Sequence, residues 1–574
     1  MRFKPLALHF PLLLFLLILP SVFFLFQNSI YFNMHDDMQL VRQLEMDKCL
    51  EDGQIPCRWT PDLGYGYGYP LFNFYPPLPY LIGSTIRLTG FSYINTVKLT
   101  FALQFFVLSL GSYFLALFLF KNKLSALLVS LLLNYAPYHA VNVYVRGAQN
   151  ESWALAFFPW ILFFGLKLIK SYSQLTFVGL SISTAFLLLC HLPMSLVFFP
   201  SVLVLFVIYY LSLNRWRLKL QPQLFSFILS LFLGITLSAF FIIPASLESK
   251  NVQIESMFTN YYHFSVHFTS LKQLFISNFW GDGPSVWGQA DLMSFSIGYL
   301  QWIIPLISLI WLAINFYKTK KLTSLDVFII ATNFLGLFFA FLTHQRSDFI
   351  WTILTPLQKV QFPWRLLNPT IFYFSLSVGW LVLQLPTKKI KSIFSAGFIF
   401  LLFALNITKF YPITYGPITD AQKFSGLAWT NQITSGIYDY LPKTSPKAPT
   451  HPPLDIIDVP NPAISLTNYR QGTDWGLINL HASVPTSVTL GLLSFTGLSF
   501  QDNSQPIGYA PDAIFGRPII KLTAGNHQIY YHYQNTPLRL AANIISLISL
   551  LILAFLLLPI FTSHVSNYLR RSKK

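Results

Sequence analysis

The chain has 574 residues, 54% of them hydrophobic and only 10% charged, with a mean hydropathy of +0.53 and a formal net charge of +17. A water-soluble globule carries about 25% charged residues, so this composition excludes one and requires a multi-pass membrane protein. In such a chain the positive excess reads as Lys and Arg held in cytoplasmic loops, not as a nucleic-acid surface.

Apolar runs of bilayer-crossing length fall at about 7–26, 94–120, 124–142, 153–167, 174–190, 194–213, 224–244, 299–316, 325–343, 367–384, 392–410 and 540–561. The first lacks a small-residue cleavage site and reads as a retained anchor. Sides alternate from a cytoplasmic N-terminus. The inside segments then hold Arg2 and Lys4; Lys121 and Lys123; Lys167 and Lys170; Arg215, Arg217 and Lys219; Lys318, Lys320 and Lys321; Lys388, Lys389 and Lys391; and Arg570, Arg571, Lys573 and Lys574. Every short inside loop is basic, as the positive-inside rule requires. Of the Asp and Glu residues only Asp326 falls inside, so the polar chemistry is predicted at the outer face.

The first outer loop, 27–93, opens with Asp36 and Asp37. A carboxylate there can act as general base on a hydroxyl, hold a divalent metal, or cap the helix that follows. An amphipathic segment, Leu40 to Leu50, comes next, and a short interfacial helix is predicted within Pro76 to Thr89. Cys49 and Cys57 either pair, if the compartment is oxidising, or stay free. The run GYGYGYPLFNFYPPLPY reads as an aromatic interface belt, with stacking on sugar faces as the other reading.

Later outer segments each bring isolated polar groups. Arg146 and Glu151 lie in YVRGAQNESW, His139 near the outer end of the third run, and His191 at the corner between the fifth and sixth. Arg365 lies in QFPWRLLN. Arg suits a phosphate, an interfacial ion pair or snorkelling, and either His can simply satisfy a helix end. Region 412–537 turns polar, with strand-like runs at Gly476–Val484, Ser487–Phe500, Pro518–Leu522 and His527–Tyr533. It reads as an extracytoplasmic β-sandwich or jelly-roll domain. The chain thus divides into a transmembrane domain, 1–411, the β-domain, 412–537, and a final span with a basic tail, 538–574.

The paired acids just after the first run, followed by interfacial helices, resemble the C-type (GT-C) membrane glycosyltransferases. More narrowly, HDDMQ, GYPLFNFYPPLPY, YVRGAQNES, CHLP and FPWRLL resemble bacterial membrane proteins known as 6-pyruvoyl-tetrahydropterin synthase-related, a label that carries no pterin chemistry here. The tail LTAGNHQIYYHYQNTPLRL is similar to the end of membrane proteins that glycosylate cell-envelope polymers. The resemblance implies an all-α polytopic GT-C-like core of about twelve helices and transfer of a hexosyl or pentosyl group. It implies a polyprenyl-phosphate-sugar donor and a glycan, lipid or protein acceptor in a bacterial cell envelope. By that analogy Asp36 or Asp37 is the base or holds Mg or Mn. Arg146, Arg365 and His191 bind donor phosphate, and Glu151 and His139 support them. A transporter or lipid flippase and a non-catalytic glycan scaffold are the rival classes. Against passage stands the lack of any acid deep within a run, since a charge there costs at least ~2.5 kcal/mol.

Overall fold

The computed structural model describes residues 9–217, 221–288 and 291–572, with side chains as far as Leu558. Arg2, Lys4, Lys219, Lys573 and Lys574, and the side chains of Arg570 and Arg571, lie outside the described residues.

Each predicted apolar run is helical among the described residues. Among the described residues nine helices are long and apolar enough to cross a bilayer, or up to eleven if each of two bent pairs is one span. Gln174–Cys190 is a shorter apolar helix. One bent pair, Lys123–Asn134 with Pro137–Val145, turns by 51°. Pro137 is the cause, since proline drives the residue before it out of helical geometry, and Ala136 is extended (ψ 132°).

The first loop departs from its predicted form. Leu40–Leu50 is indeed helical, over Gln39–Glu51, but not surface-amphipathic. Arg42, Gln43, Glu45 and Asp47 are buried along with Leu40, Val41 and Met46, because the helix is walled in by Leu78–Arg87 and Tyr93–Phe120. Part of the polar face is bonded inside: Gln43 Nε2 donates to Asp47 Oδ1 (2.9 Å), Tyr80 O (3.1 Å) and Ser84 Oγ (3.0 Å), while Gln43 Oε1 and Glu45 Oε1 are buried without a hydrogen-bond partner. Neither Asp36 nor Asp37 caps this helix. Its N-cap is Met38, with no side-chain cap bond.

Nor is the aromatic run an interface belt or an open platform. Tyr67, Tyr69, Phe72 and Tyr80 are buried. Tyr67 Oη donates to Asp458 (2.8 Å), Tyr69 Oη to Gly436 O and Ile437 O (3.1 Å each), and Trp59 stacks on Tyr533 at 3.7 Å. Gly68 has φ +83°, and a Cβ there would meet the Trp59 indole at 2.5 Å. The run is therefore the joint between the first loop and the C-terminal region, sharing one apolar cluster with it. Cys49 and Cys57 in the same joint form a disulfide, while Cys190 is free and buried.

Two short strands, β1 (Ile30–Phe32) and β2 (Tyr415–Pro417), pair antiparallel and tie the end of the first span to the end of the eleventh run. After β2 come two helices, Asp420–Lys423 and Gly426–Thr434, so the sheets begin only at Ile464, well inside the predicted 412–537. They use β3 (Ile464–Gln471), β4 (Trp475–Ala482), β5 (Thr486–Thr489), β6 (Leu498–Asp502), β7 (Gln505–Ile507), β8 (Tyr509–Pro511), β9 (Pro518–Leu522) and β10 (Gly525–Tyr533). The orders are β3-β4-β10-β6-β7 and β5-β9-β8, all antiparallel. Alternation turns Ile478, Leu480 and Ile529 of one sheet and Val488, Ile520 and Leu522 of the other into the shared cluster. The predicted strand Ser487–Phe500 is two strands, β5 and β6, with Gly497 (φ +100°) just before the second.

Candidate functional site

The site begins where the bent pair ends. Val141–Val145 is one turn of π-helix, the wider turn that often marks functional positions. It closes with Arg146 N–H on Val141 O (2.8 Å). The last carbonyls of a helix have no internal partner. Here Val145 O and Arg146 O accept the backbone N–H groups of His35 (3.1 Å) and Asp36 (3.0 Å). Gly147 makes the exit possible: φ is +61°, and a Cβ would sit 2.1 Å from Met34 Sδ. Its carbonyl accepts Gln39 Nε2 (2.9 Å). The first loop is thus stitched to the loop that carries Arg146.

Beneath this seam lies a buried charged cluster. Glu151 stands in the first turn of Gln149–Lys170, where a helix favours an acid. Its Oε2 is 2.8 Å from the Arg146 guanidinium and 3.2 Å from Arg365 Nε. Its Oε1 accepts Asn368 Nδ2 (2.7 Å) and Tyr138 Oη (3.2 Å). Arg146 also donates to Asn142 Oδ1 (2.6 Å), and Trp364 covers its face at 4.4 Å. Burial works against the Arg146 charge, and Glu151 more than restores it, so its pKa moves up. Arg365 donates to Val360 O (2.9 Å) and Gln361 Oε1 (3.1 Å) over the Phe362 ring. Two guanidiniums meet one carboxylate, so one positive charge is left over. A buried unpaired charge is costly, and an arriving anion would balance it.

His191 is at once helix cap and neighbour of this cluster. Its Nδ1 accepts the Met194 N–H (3.1 Å). A neutral imidazole with Nδ1 accepting carries its proton on Nε2. Burial, then the Arg365 charge, pushes its pKa down to about 3, so it stays neutral near pH 7. His139 is not brought here. It is fully buried, with ring nitrogens on Asn134 O (2.9 Å) and Gln104 Oε1 (3.0 Å), against Phe105.

The two aspartates have different partners. Asp36 Oδ2 accepts Arg42 (2.7 Å) and Gln39 (3.0 Å), and its side chain is 34% exposed. Arg42 continues to Tyr75 Oη (2.9 Å) and lies over that ring at 4.2 Å. Asp37 Oδ2 is held by Lys423 at 2.6 Å. Burial raises the Asp37 pKa, with Lys423 opposing. Arg42, Tyr138, Asn142, Asn368 and Lys423 escaped the sequence reading, and Tyr75 entered it only as part of the aromatic run. Only Arg42 carried a signal, a lone cation six residues after Asp36.

A resident divalent cation does not fit these residues as they stand. Asp37 Oδ1 is buried without a partner, which would suit one. Yet each aspartate already faces a cation, and among the described residues no three His, Cys, Asp or Glu side chains gather to hold a metal.

The family described as "6-pyruvoyl-tetrahydropterin synthase related domain; membrane protein" matches residues 72–411, more than half of the chain. The chain belongs to that family. The matched segment holds Arg146, Glu151, His191 and Arg365, while Asp36 and Asp37 precede it. A protein of Lactococcus lactis subsp. cremoris (strain MG1363), described only as uncharacterized, is 25% identical over 249 residues, 42% of this chain and 40% of that one. Among solved structures, the apo oligosaccharyltransferase of Archaeoglobus fulgidus aligns with TM-score 0.47 and 11% identity over 72% of this chain and 57% of that one. The mycobacterial arabinofuranosyltransferase AftD aligns with TM-score 0.40 and 14% identity over 74% and 27%. The chain spans less than two thirds of the length of each of these relatives.

Proposed function

We propose that this family member is a GT-C-type membrane glycosyltransferase. It moves a hexosyl or pentosyl group from a polyprenyl-phosphate donor to a cell-envelope acceptor at the outer face of the cell membrane. The observation that carries the reading is the seam: the Asp36 backbone is bonded to that of Arg146 at 3.0 Å, over a cluster with one more guanidinium than carboxylate. A base and a phosphate clamp therefore stand side by side. Taking the nine helices, the two bent pairs and Gln174–Cys190 as spans gives twelve, with both termini cytoplasmic. The Cys49–Cys57 disulfide supports an outward first loop, since disulfides persist in oxidising compartments. The two antiparallel sheets form the extracytoplasmic β-domain as a small sandwich.

In this reading Asp36 takes the proton of an acceptor hydroxyl. The hydroxyl oxygen bonds to the anomeric carbon as the bond from that carbon to the phosphate oxygen breaks. The phosphate leaves as an anion against Arg146 and Arg365, with the His191 Nε2–H as a further donor, and the configuration inverts. Asp37, held by Lys423, positions the loop.

The test uses the purified full chain, a labelled polyprenyl-phosphate-sugar and candidate envelope acceptors. Asp36→Asn is expected to cut transfer by roughly 10²–10⁴, the worth of a general base, and Asp37→Asn by much less. Full transfer by the double variant Asp36→Asn, Asp37→Asn would remove the proposed roles.

A further inference from the structure

A second cluster of arginines lies where the first loop, the β-domain and the last span meet. A cavity of about 220 Å³ there is lined by Arg58, Arg539, Asn73, Asn535, Trp59 and Tyr533, among others. Arg58 and Arg539 are buried, at 8% and 3% exposure. Arg58 donates to Asn73 Oδ1 (3.1 Å), Phe240 O (2.9 Å) and Asn543 Oδ1 (2.8 Å), all neutral acceptors. Among the described residues no carboxylate forms an ion pair with it. The nearby acid, Glu248, is already engaged. Its Oε2 takes Arg539 Nε (2.8 Å) and Asn73 Nδ2 (2.9 Å), and its Oε1 takes Thr536 Oγ1 (3.0 Å).

Of the two buried guanidiniums, Arg539 therefore has the carboxylate of Glu248 and Arg58 has none. Each also has an unused donor: Arg58 Nε and Arg539 Nη2 are buried without an acceptor. A buried donor left unmade costs about 1–3 kcal/mol, more when charged. The acid on the cavity wall, Asp474, is at the β-domain end, 3.5 Å from His532 Nε2. Burial, then the facing Arg539, lowers Arg58 to about 10, which still leaves it charged near pH 7.

We propose that the Arg58–Arg539 cavity binds an anionic phosphate group, separately from the Arg146–Arg365 cluster. The cavity and the Asp36 carboxylate flank one short stretch: Asn73 accepts from Arg58, and Tyr75, two residues on, accepts from Arg42 beside Asp36. Arg539 and Asn543 belong to the first turns of the last candidate span, and Phe240 to the bend between Pro222–Leu237 and Ala239–Leu247. A headgroup phosphate of an anionic membrane lipid and a soluble phosphate share the chemistry such a cavity reads.

Hydrogen exchange followed by mass spectrometry locates the binding. The full chain is compared in detergent with and without inorganic phosphate at matched ionic strength, and in nanodiscs of phosphatidylglycerol against phosphatidylcholine. Slower exchange in peptides covering 54–60 and 534–543 is the expected result. Protection by inorganic phosphate assigns a soluble source, and protection by phosphatidylglycerol alone assigns a lipid headgroup. Arg58→Gln is expected to weaken the protecting probe on the order of tenfold or more, and Arg58→Lys, which keeps the charge, by less. Changes confined to peptides around 138–151 and 360–368 would leave the proposed donor-phosphate site standing and overturn this one. So would protection of 54–60 and 534–543 that Arg58→Gln leaves undiminished, or no protection from either probe.

Discussion

At the residue scale the site is a problem of charge balance. Glu151 faces two guanidiniums, at 2.8 and 3.2 Å, and balances the charge of only one of them in a place with almost no solvent. Removing one partner of a buried ion pair costs about 3–5 kcal/mol because the other is stranded. Glu151→Gln is therefore expected to destabilise the fold by about that much, read as a lowered Tm in detergent. A change close to zero would mean that the arginines find another anion. His191 gives a pH signature. Its folded pKa, about 3, lies below the ordinary 6.5, so between those values the unfolded chain binds a proton that the folded chain does not. Stability from this group is present above pH ~6.5 and is lost as pH falls toward ~3. His191→Asn should flatten that part of the profile of Tm against pH. Asp439 and Asp291, both raised to about 6 by burial, act with the opposite sign, losing stability as pH rises from about 4 to 6. They leave the difference between variant and parent intact. The charged residue types were legible in the sequence. That Arg42 faces Asp36 while Lys423 faces Asp37 was not, since Lys423 lies 386 positions from its partner.

At the element scale, helix ends do the assembling. The helix that ends in the π-turn Val141–Val145 leaves the carbonyls of Val145 and Arg146 without an internal partner, and the first loop docks on them. Gly147 lets the chain leave at φ +61° while Met34 packs where a Cβ would stand. Gly147→Ala is expected to cost about 1 kcal/mol or more in stability. It should cost transfer activity out of proportion, because the displaced segment is the one that carries Asp36. Paired Tm and activity measurements test this, and equal activity in variant and parent would show that the seam does not position the aspartate. The twelve apolar runs were visible because span length is a local property of sequence. The Tyr- and Gly-rich run was misread because its composition matches an interface belt, whereas its partners, Asp458, Ile437 and Tyr533, come from several hundred residues away.

At the scale of the whole molecule, the topology has a direct test. Cys190 is buried and Cys49 is bonded to Cys57, so the chain offers little background to a thiol reagent. Ser487→Cys in β5 and Ser324→Cys at the start of Ser324–Leu342 are both at exposed positions. In intact cells a membrane-impermeant maleimide should label the first and reach the second only after lysis. The reverse pattern would invert the proposed orientation. By itself the sequence determined the membrane class, the helical runs, the β-rich character near the C-terminus and the residue types available for chemistry. Each of these follows from local hydrophobicity, periodicity and loop charge. Only the tertiary structure decided which charges meet. Ion pairing and burial depend on neighbours that the chain brings together across long separations. Glu151 acquired Arg365 and Asn368 from more than two hundred positions away, and Arg58 acquired Phe240 and Asn543 from 182 and 485 positions away.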